Sequence, residues 1–483
     1  MSAGEDASTA GAAPAARLAL AGLSLSMLLS SLGTSIASVG LPTLAEAFDA
    51  SFQDVQWIVL AYLLAITTLI VSVGRLGDII GRRRLLLVGI GLFTLASVAC
   101  GTPPTLWLLI AARALQGLGA AIMMALTMAF VGDTVPKAQT GRAMGLLGTM
   151  SAVGTALGPS LGGVLIGSLG WQAIFLVNVP LGLVAFILAY RYLPADRRAA
   201  KADRASFDSL GTLLLALTLA AYALAMTIGR GSFGPLNVAL LTAAGLGAGL
   251  FVLAEAKVAS PLIRWAMFRN SALNASLAMS ALVSTVMMST LVAGPFYLSR
   301  ALGLDAALVG ITMSIGPIVS ALSGVLAGRF VDRLGASLMV VVGLVAMVAG
   351  SVALFTIPVA FGVAGYVAAI VVLTPGYQLF QAANNTAVMM DVSTGQRGVV
   401  SGMLNLSRNL GLITGASVMG AVFALGSAAA DITTASPDAV AAGMRITFGV
   451  AAVLLVMALA IGVVSRTVRS ASAPSSTSAP TSR

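Results

Sequence analysis

Arg113 and Arg408 are the residues of this chain hardest to explain as packing. Both fall within apolar runs long enough to cross a bilayer. An arginine at membrane depth costs at least ~2.5–3.5 kcal/mol on insertion scales, so it faces a protein interior and finds partners there. Two chemistries fit. The guanidinium can be a fixed positive charge that meets a substrate or is coupled to an ion, or it can staple neighbouring backbone carbonyls together. Gln116, three residues after Arg113 and so on the same helix face, suits either. A second polar constellation is "YQLFQAANN" at 377–385, where Tyr377, Gln378, Gln381, Asn384 and Asn385 form a stripe in an otherwise apolar run. Amides rarely face lipid, so the stripe is expected to line a cavity. Thr34, among Ser30, Ser31, Ser35 and Ser38, adds hydroxyls to the first apolar run, although such hydroxyls often only bond their own backbone.

Charge gathers in one short stretch, "GRLGDIIGRRR" at 74–84. A cluster that simply holds a loop on one side of a membrane would account for Arg82, Arg83 and Arg84. It would not account for Asp78 or for the glycines Gly74 and Gly81. A carboxylate at a helix end can accept hydrogen bonds from arginine and from free backbone N–H groups at another helix's N-terminus, and glycine permits a tight turn and close backbone approach. A third pattern is Gly154, Gly158, Pro159, Gly162 and Gly163. Small residues four apart allow close helix packing in lipid, and proline breaks the backbone ladder, so the stretch reads either as ordinary packing or as a pivot.

What is missing narrows the chemistry. The chain has no histidine and a single cysteine, Cys100. That excludes a histidine-based triad, an internal disulfide and any multi-cysteine metal site. No G-x-x-x-x-G-K-[ST] phosphate loop is present, and all sixteen acids fall in loops, tails or helix ends. No metal or cofactor is expected, nor an enzymatic activity.

The elements that position these residues are membrane helices. Of 483 residues 58% are hydrophobic and 9% charged, with a mean hydropathy of +1.01; soluble chains are about 45–50% apolar and about 25% charged. Fourteen apolar segments follow one another from 18–40 to 446–465, each near the roughly 20 residues that cross a hydrocarbon core. If the N-terminus is cytoplasmic, 21 of the 26 basic residues fall on cytoplasmic loops and tails and only Arg230, Arg300 and Arg445 on outer ones. That asymmetry fits the positive-inside rule with an even number of spans. Both termini are therefore expected in the cytoplasm, with the chain in the cell (inner) membrane. The basic residues are placed for a membrane surface rather than for nucleic acid.

The chain also repeats itself. Gly74, Arg75, Asp78 and Gly81 return 254 residues later as Gly328, Arg329, Asp332 and Gly335. Gly145, Gly154, Gly158 and Gly163 return 257 residues later as Gly402, Gly411, Gly415 and Gly420. Two matches at nearly one offset indicate an internal duplication, as in secondary transporters whose substrates bind between the halves. The expected organisation is a disordered tail (1–17), a six-helix bundle (18–193), a cytoplasmic linker with two inserted helices (194–260), a second six-helix bundle (261–466) and a disordered tail (467–483).

Over residues 17–466 this order resembles the 14-spanner drug:proton antiporters of the major facilitator superfamily. Gly74, Leu76, Asp78, Gly81, Arg82, Arg83 and Leu86 match that superfamily's loop-2/3 signature. "RALQGLGAA" (113–121) resembles its helix-4 signature with an intramembrane arginine, and "GTALGPSLGG" (154–163) its helix-5 antiporter signature. The resemblance implies an all-α membrane fold of two pseudo-symmetric six-helix bundles plus two inserted helices. It implies a gating latch at Gly74, Asp78, Gly81, Arg82 and Arg83, a pivot at Gly154, Gly158, Pro159, Gly162 and Gly163, and coupling or substrate roles for Arg113, Gln116 and Arg408. The function implied is proton-driven export of small apolar compounds. Two departures stand out: Ile79 replaces a basic residue of the latch signature, and Gly33 replaces an aspartate that many members carry in "LGTSIASVGLP" (32–42). Without that carboxylate, a neutral or anionic substrate is expected rather than a cationic one. A transporter of one anionic metabolite is the alternative, and a membrane sensor or enzyme is disfavoured.

Overall fold

A computed structural model of the chain describes residues 3–70, 72–134, 140–195, 209–228, 234–256, 270–356, 359–390, 397–428 and 432–472. Among them, fourteen helices are long and apolar enough to cross a membrane. They are α1 (Ala16–Val39), α2 (Phe52–Ile70), α3 (Arg82–Gly101), α4 (Leu106–Phe130), α5 (Thr149–Leu169), α6 (Ala173–Tyr192), α7 (Leu210–Thr227), α8 (Pro235–Glu255), α9 (Ser271–Ala301), α10 (Ala306–Gly324), α11 (Ala336–Thr356), α12 (Val359–Val388), α13 (Met403–Gly426) and α14 (Pro437–Ser465). Their number and order follow the apolar segments of the sequence. The largest shift is in α14, which starts at Pro437 and carries Arg445 exposed on its surface. Helix also reaches into both segments expected to be disordered tails: the helix of α1 begins at Ala3 and that of α14 runs to Ser472. In the first case an alanine-rich sequence supplies the propensity.

Glycines set how closely these helices approach. Gly154, Gly158 and Gly162, one turn apart, turn one face of α5 onto α1. A side chain at Gly154 would overlap the Leu28 carbonyl, one at Gly158 would overlap Ser35, and a Cβ at Gly162 would lie 2.7 Å from Val39 Cγ1. In the second half, Gly411 and Gly415 press α13 onto α9 at Ala281 and Thr285 in the same way. Gly81 and Gly335, the two copies of one repeat position, both take positive φ (103° and 86°) where a helix stops and the next begins. Only glycine adopts that conformation without strain.

The two halves meet through a different glycine face. Gly163 of α5 crosses Gly310 of α10, and a Cβ on either would lie 2.5 Å from the other's Cα. The repeat-related crossing brings Gly420 of α13 against Gln56 of α2; Gln56 precedes Gly310 by 254 residues. Phe52 packs edge-on against Phe296 and Phe423 with centroids 4.8 and 5.5 Å away, and Arg300 pairs with Glu46 at 2.6 Å, all at this same end of the bundle. Toward the opposite end one face of the helix of α10 is open, since a Cβ at Gly324 or Gly328 would meet nothing within 4 Å, while Ala327 and Val331 on the same stretch stay buried.

The inserted pair, α7 and α8, attaches to both halves. Trp57 Nε1 of α2 donates to Thr227 Oγ1 at 3.1 Å, and the hydroxyls of Ser72 and Thr212 lie 2.8 Å apart. Tyr222 donates to Thr414 of α13 at 3.2 Å.

Overpacking a closely fitted site costs about 1–3 kcal/mol. Gly163→Leu is therefore expected to lower the Tm of the purified protein clearly, whereas Gly324→Leu, on the open face of α10, should leave it unchanged. Thermal unfolding followed by tryptophan fluorescence checks this; equal effects of the two substitutions would contradict the crossing.

Candidate functional site

A cavity of about 470 Å³ lies between the halves, walled by α1, α2, α4 and α5 on one side and by α9, α10, α12 and α13 on the other. Of the residues singled out from sequence, Thr34, Tyr377, Gln378, Gln381, Asn385 and Arg408 line it. Within the lining, Gln381 Nε2 donates to the Tyr377 hydroxyl at 3.0 Å and Gln378 Nε2 donates to Ser320 Oγ. Thr34 donates to the Ser30 carbonyl at 3.3 Å, the self-satisfied arrangement common for hydroxyls in membrane helices. Asn384 is the exception in the α12 stripe. It turns away from the cavity and donates to the Ser276 carbonyl of α9 at 3.3 Å. Asn384 therefore ties two helices of its own half together.

Arg113 does not reach the cavity either. Its side chain is fully buried in the first half, with no exposed surface. Nε donates to the Ile58 carbonyl of α2 at 2.9 Å, one terminal nitrogen donates to the Gly33 carbonyl of α1 at 2.9 Å, and the other donates to Gln116 Oε1 at 2.5 Å. Gln116 Nε2 passes the chain on to Ser97 Oγ of α3 at 2.7 Å. The guanidinium carbon sits 4.2 Å from the centroid of the Tyr62 ring, in cation–π contact. Four helices are thus pinned by one residue. Of the two chemistries open to Arg113 from sequence, the geometry shows the staple: each guanidinium nitrogen is engaged by protein, away from the cavity lining. Gln116 shares that burial.

The same cluster explains Gly33. A Cβ at this position would lie 2.7 Å from the Tyr62 hydroxyl, which donates to the Ser30 carbonyl at 2.6 Å. Tyr62 fills the space a longer side chain at position 33 would need. It was not legible from sequence, because nothing in the spacing of α2 ties its tyrosine to Gly33 and Arg113.

The latch residues are described in part. Gly81 caps the turn, and Arg83 donates to the Tyr190 carbonyl of α6 and stacks over the Tyr190 ring at 5.4 Å. Arg82 is partly buried at the start of α3. Gly74 and Asp78 lie on the short helix Val73–Ile80, and the helix leading into α13 begins at Arg397; the side-chain surroundings of Gly74, Asp78 and Arg397 lie outside the described ones. Of the expected pivot, Gly154, Gly158 and Gly162 face α1, while Gly163 and the carbonyl of buried Pro159 meet Gly310 of the other half. The cavity also uses Ser151, Thr155 and Tyr366, which sequence reasoning passed over. For Ser151 a signal existed, since it stands 257 residues before Arg408 and is its counterpart in the repeat.

Comparison with known proteins accounts for this architecture. The model of the Major Facilitator Superfamily matches residues 23–416. The chain is 30% identical over 416 residues to the multidrug resistance protein Stp of Mycobacterium tuberculosis, covering 83% of this chain and 74% of that one. It is 28% identical over 400 residues to the riboflavin transporter RibZ of Clostridioides difficile, covering 83% and 86%. Among solved structures, a bacterial homologue of the human lysosomal transporter Spinster, in an inward-facing and unoccupied conformation, superimposes with a TM-score of 0.67 at 18% identity, over 94% of this chain and 98% of that one. An all-helical chain with fourteen membrane-long helices and a family match over most of its length is a multi-pass membrane transporter rather than an enzyme, and it belongs to the major facilitator superfamily.

Proposed function

We propose that this transporter is a proton-driven exporter of small, largely apolar, neutral or anionic compounds, set in the cell (inner) membrane with both termini cytoplasmic. The observation that carries the reading is the cavity between two repeat-related halves that are tightly crossed at one end; in this proposal the halves are parted at the other. That is the geometry alternating access requires, with rigid halves rocking about a central site. The lining adds support. Met124, Met287, Met288 and Met313 surround it with adaptable apolar surface, and no acidic side chain is among its described members. The name of Stp supports export of more than one compound. The name of RibZ supports the second reading, a transporter for one metabolite.

In this proposal the two units are the bundles 18–193 and 261–466, with 194–260 as an insertion. The pivot is the glycine surface of Gly154, Gly158, Pro159, Gly162 and Gly163. Gly74, Asp78, Gly81, Arg82 and Arg83 form the latch at the parted end, holding the halves together there when the crossed end opens. Arg113 and Gln116 serve coupling by keeping α1, α2, α3 and α4 in one register rather than by meeting the cargo. Thr34, Tyr377, Gln378, Gln381 and Asn385 line the passage, and Asn384 braces it.

The reading is tested in liposomes containing the purified protein under an imposed pH gradient. Uptake of a neutral apolar dye should follow the gradient and stop when a protonophore collapses it; uptake that ignores the gradient would remove the proton coupling. Arg113→Ala removes three hydrogen bonds from a charged donor, which tie α1, α2 and α4 together, each a loss of about 1.5–3 kcal/mol. It is expected to reduce transport of neutral and anionic compounds by the same factor, measured as initial rates, and a selective loss of the anion would restore a direct role. Asp78→Asn should cripple transport with protein abundance nearly unchanged, as quantitative immunoblotting beside the transport assay would show; normal rates would reduce the loop to a topogenic cluster.

A further inference from the structure

Two membrane-embedded arginines share this chain, and their surroundings differ. Every nitrogen of Arg113 is bonded to protein. Arg408, on α13, lines the cavity, and its Nε is buried with no hydrogen-bond partner. Among the described residues it pairs with no carboxylate, and it is the only charged side chain in the described lining. A guanidinium left unmatched beside an internal cavity is costly to keep unless something brought into the cavity matches it.

The hydrogen-bond accounting of the two walls points the same way. On the first-half wall the hydroxyls spend their protons locally: Thr34 on the Ser30 carbonyl, Ser35 on Leu32, and Thr155 on Ser151. On the second-half wall donors are left over. Tyr377 accepts from Gln381, so its own proton is unspent, and Ser320 accepts from Gln378 in the same way. Were the Gln381 amide turned over, its NH2 group would become the spare donor, so the pair offers one in either orientation. The repeat sharpens the asymmetry: the counterpart of Arg408 in the first half is Ser151, whose hydroxyl lies 2.7 Å from that of Ser31. The first-half wall carries uncharged hydroxyls, most of them bonded locally. The other carries the cation, with hydroxyl and amide donors in the same lining.

We propose that Arg408 is the anion-recognition residue of the cavity, and that the preferred cargo is an apolar body bearing an oxyanion group, carboxylate or sulfonate, seated against Arg408 with Tyr377 and Ser320 donating beside it. The inference rests on the proposed passage of apolar compounds through this cavity and specifies which of them are taken. A planar guanidinium matches a two-oxygen anion by its fork of N–H donors, and the same fixed charge in a site of low dielectric disfavours organic cations.

The test uses two probes of one shape, 2-naphthalenesulfonate and the uncharged 2-naphthalenesulfonamide, titrated against the thermal unfolding of the purified full-length protein. The wild type should bind the sulfonate about tenfold more tightly. Arg408→Gln should abolish that preference while leaving sulfonamide affinity within about twofold, and Arg408→Lys, which keeps the charge without the fork, should retain a reduced preference. Should Arg408→Gln fail to fold, the wild-type preference and its weakening in Arg408→Lys still decide the matter. A wild type that binds both probes equally, or an Arg408→Gln protein that keeps the preference, overturns the proposal while export of apolar compounds stands. Failure of both probes to bind overturns the proposal and the export reading together.

Discussion

The crossing of Gly163 over Gly310 is the constraint on which the rest of the molecule depends. With no side chain on either partner, α5 and α10 approach backbone to backbone at one end of the bundle. In lipid, helices gain little from burying apolar surface against each other, so close van der Waals fit of this kind carries the association. The repeat-related contact of Gly420 with Gln56 places a second crossing on the other side of the pseudo-symmetry axis. Two such contacts, joined by the Phe52, Phe296 and Phe423 cluster and by the Glu46–Arg300 pair, seal one end. The cavity lies between the same helices.

Charge in a low-dielectric interior is managed by two opposite solutions. Arg113 is neutralised by geometry, with two carbonyls, an amide and an aromatic face spread over three helices, and Gln116 extends the network to a fourth. Four helices of the first half are thereby tied together. Arg408 is left available on the cavity wall of the second half. The same residue type is fully bonded in one half and left with an unpartnered nitrogen in the other, and the difference lies in which neighbours each helix brings within reach.

Much of this was legible in the sequence, and the losses have physical causes. Hydropathy located the fourteen spans because crossing a bilayer demands length and apolarity, and the glycine repeats exposed the duplication because close contacts recur in both halves. The fate of Arg113 was not legible: its partners are the backbone carbonyls of Ile58 and Gly33, and every residue has a carbonyl. Asn384 was read into the cavity stripe, yet a helix turns about 100° per residue, and one position separates it from the lining Asn385. The same rotation divides Gly162, on α1, from Gly163, on α10. Composition marked 1–17 as a tail, whereas its alanines continue the first helix.

The central claim is that the halves rock as units about the cavity, so that the two ends open and close reciprocally. The most direct measurement is of spin-label distances in liposomes, in a Cys100→Ala background. One pair, at Ala47 and Thr434, spans the crossed end; the other, at Leu146 and Phe330, spans the parted end. Across a change of pH or addition of an exported compound, the account predicts that the first distance lengthens as the second shortens. Distances that stay fixed, or that grow together at both ends, would contradict it.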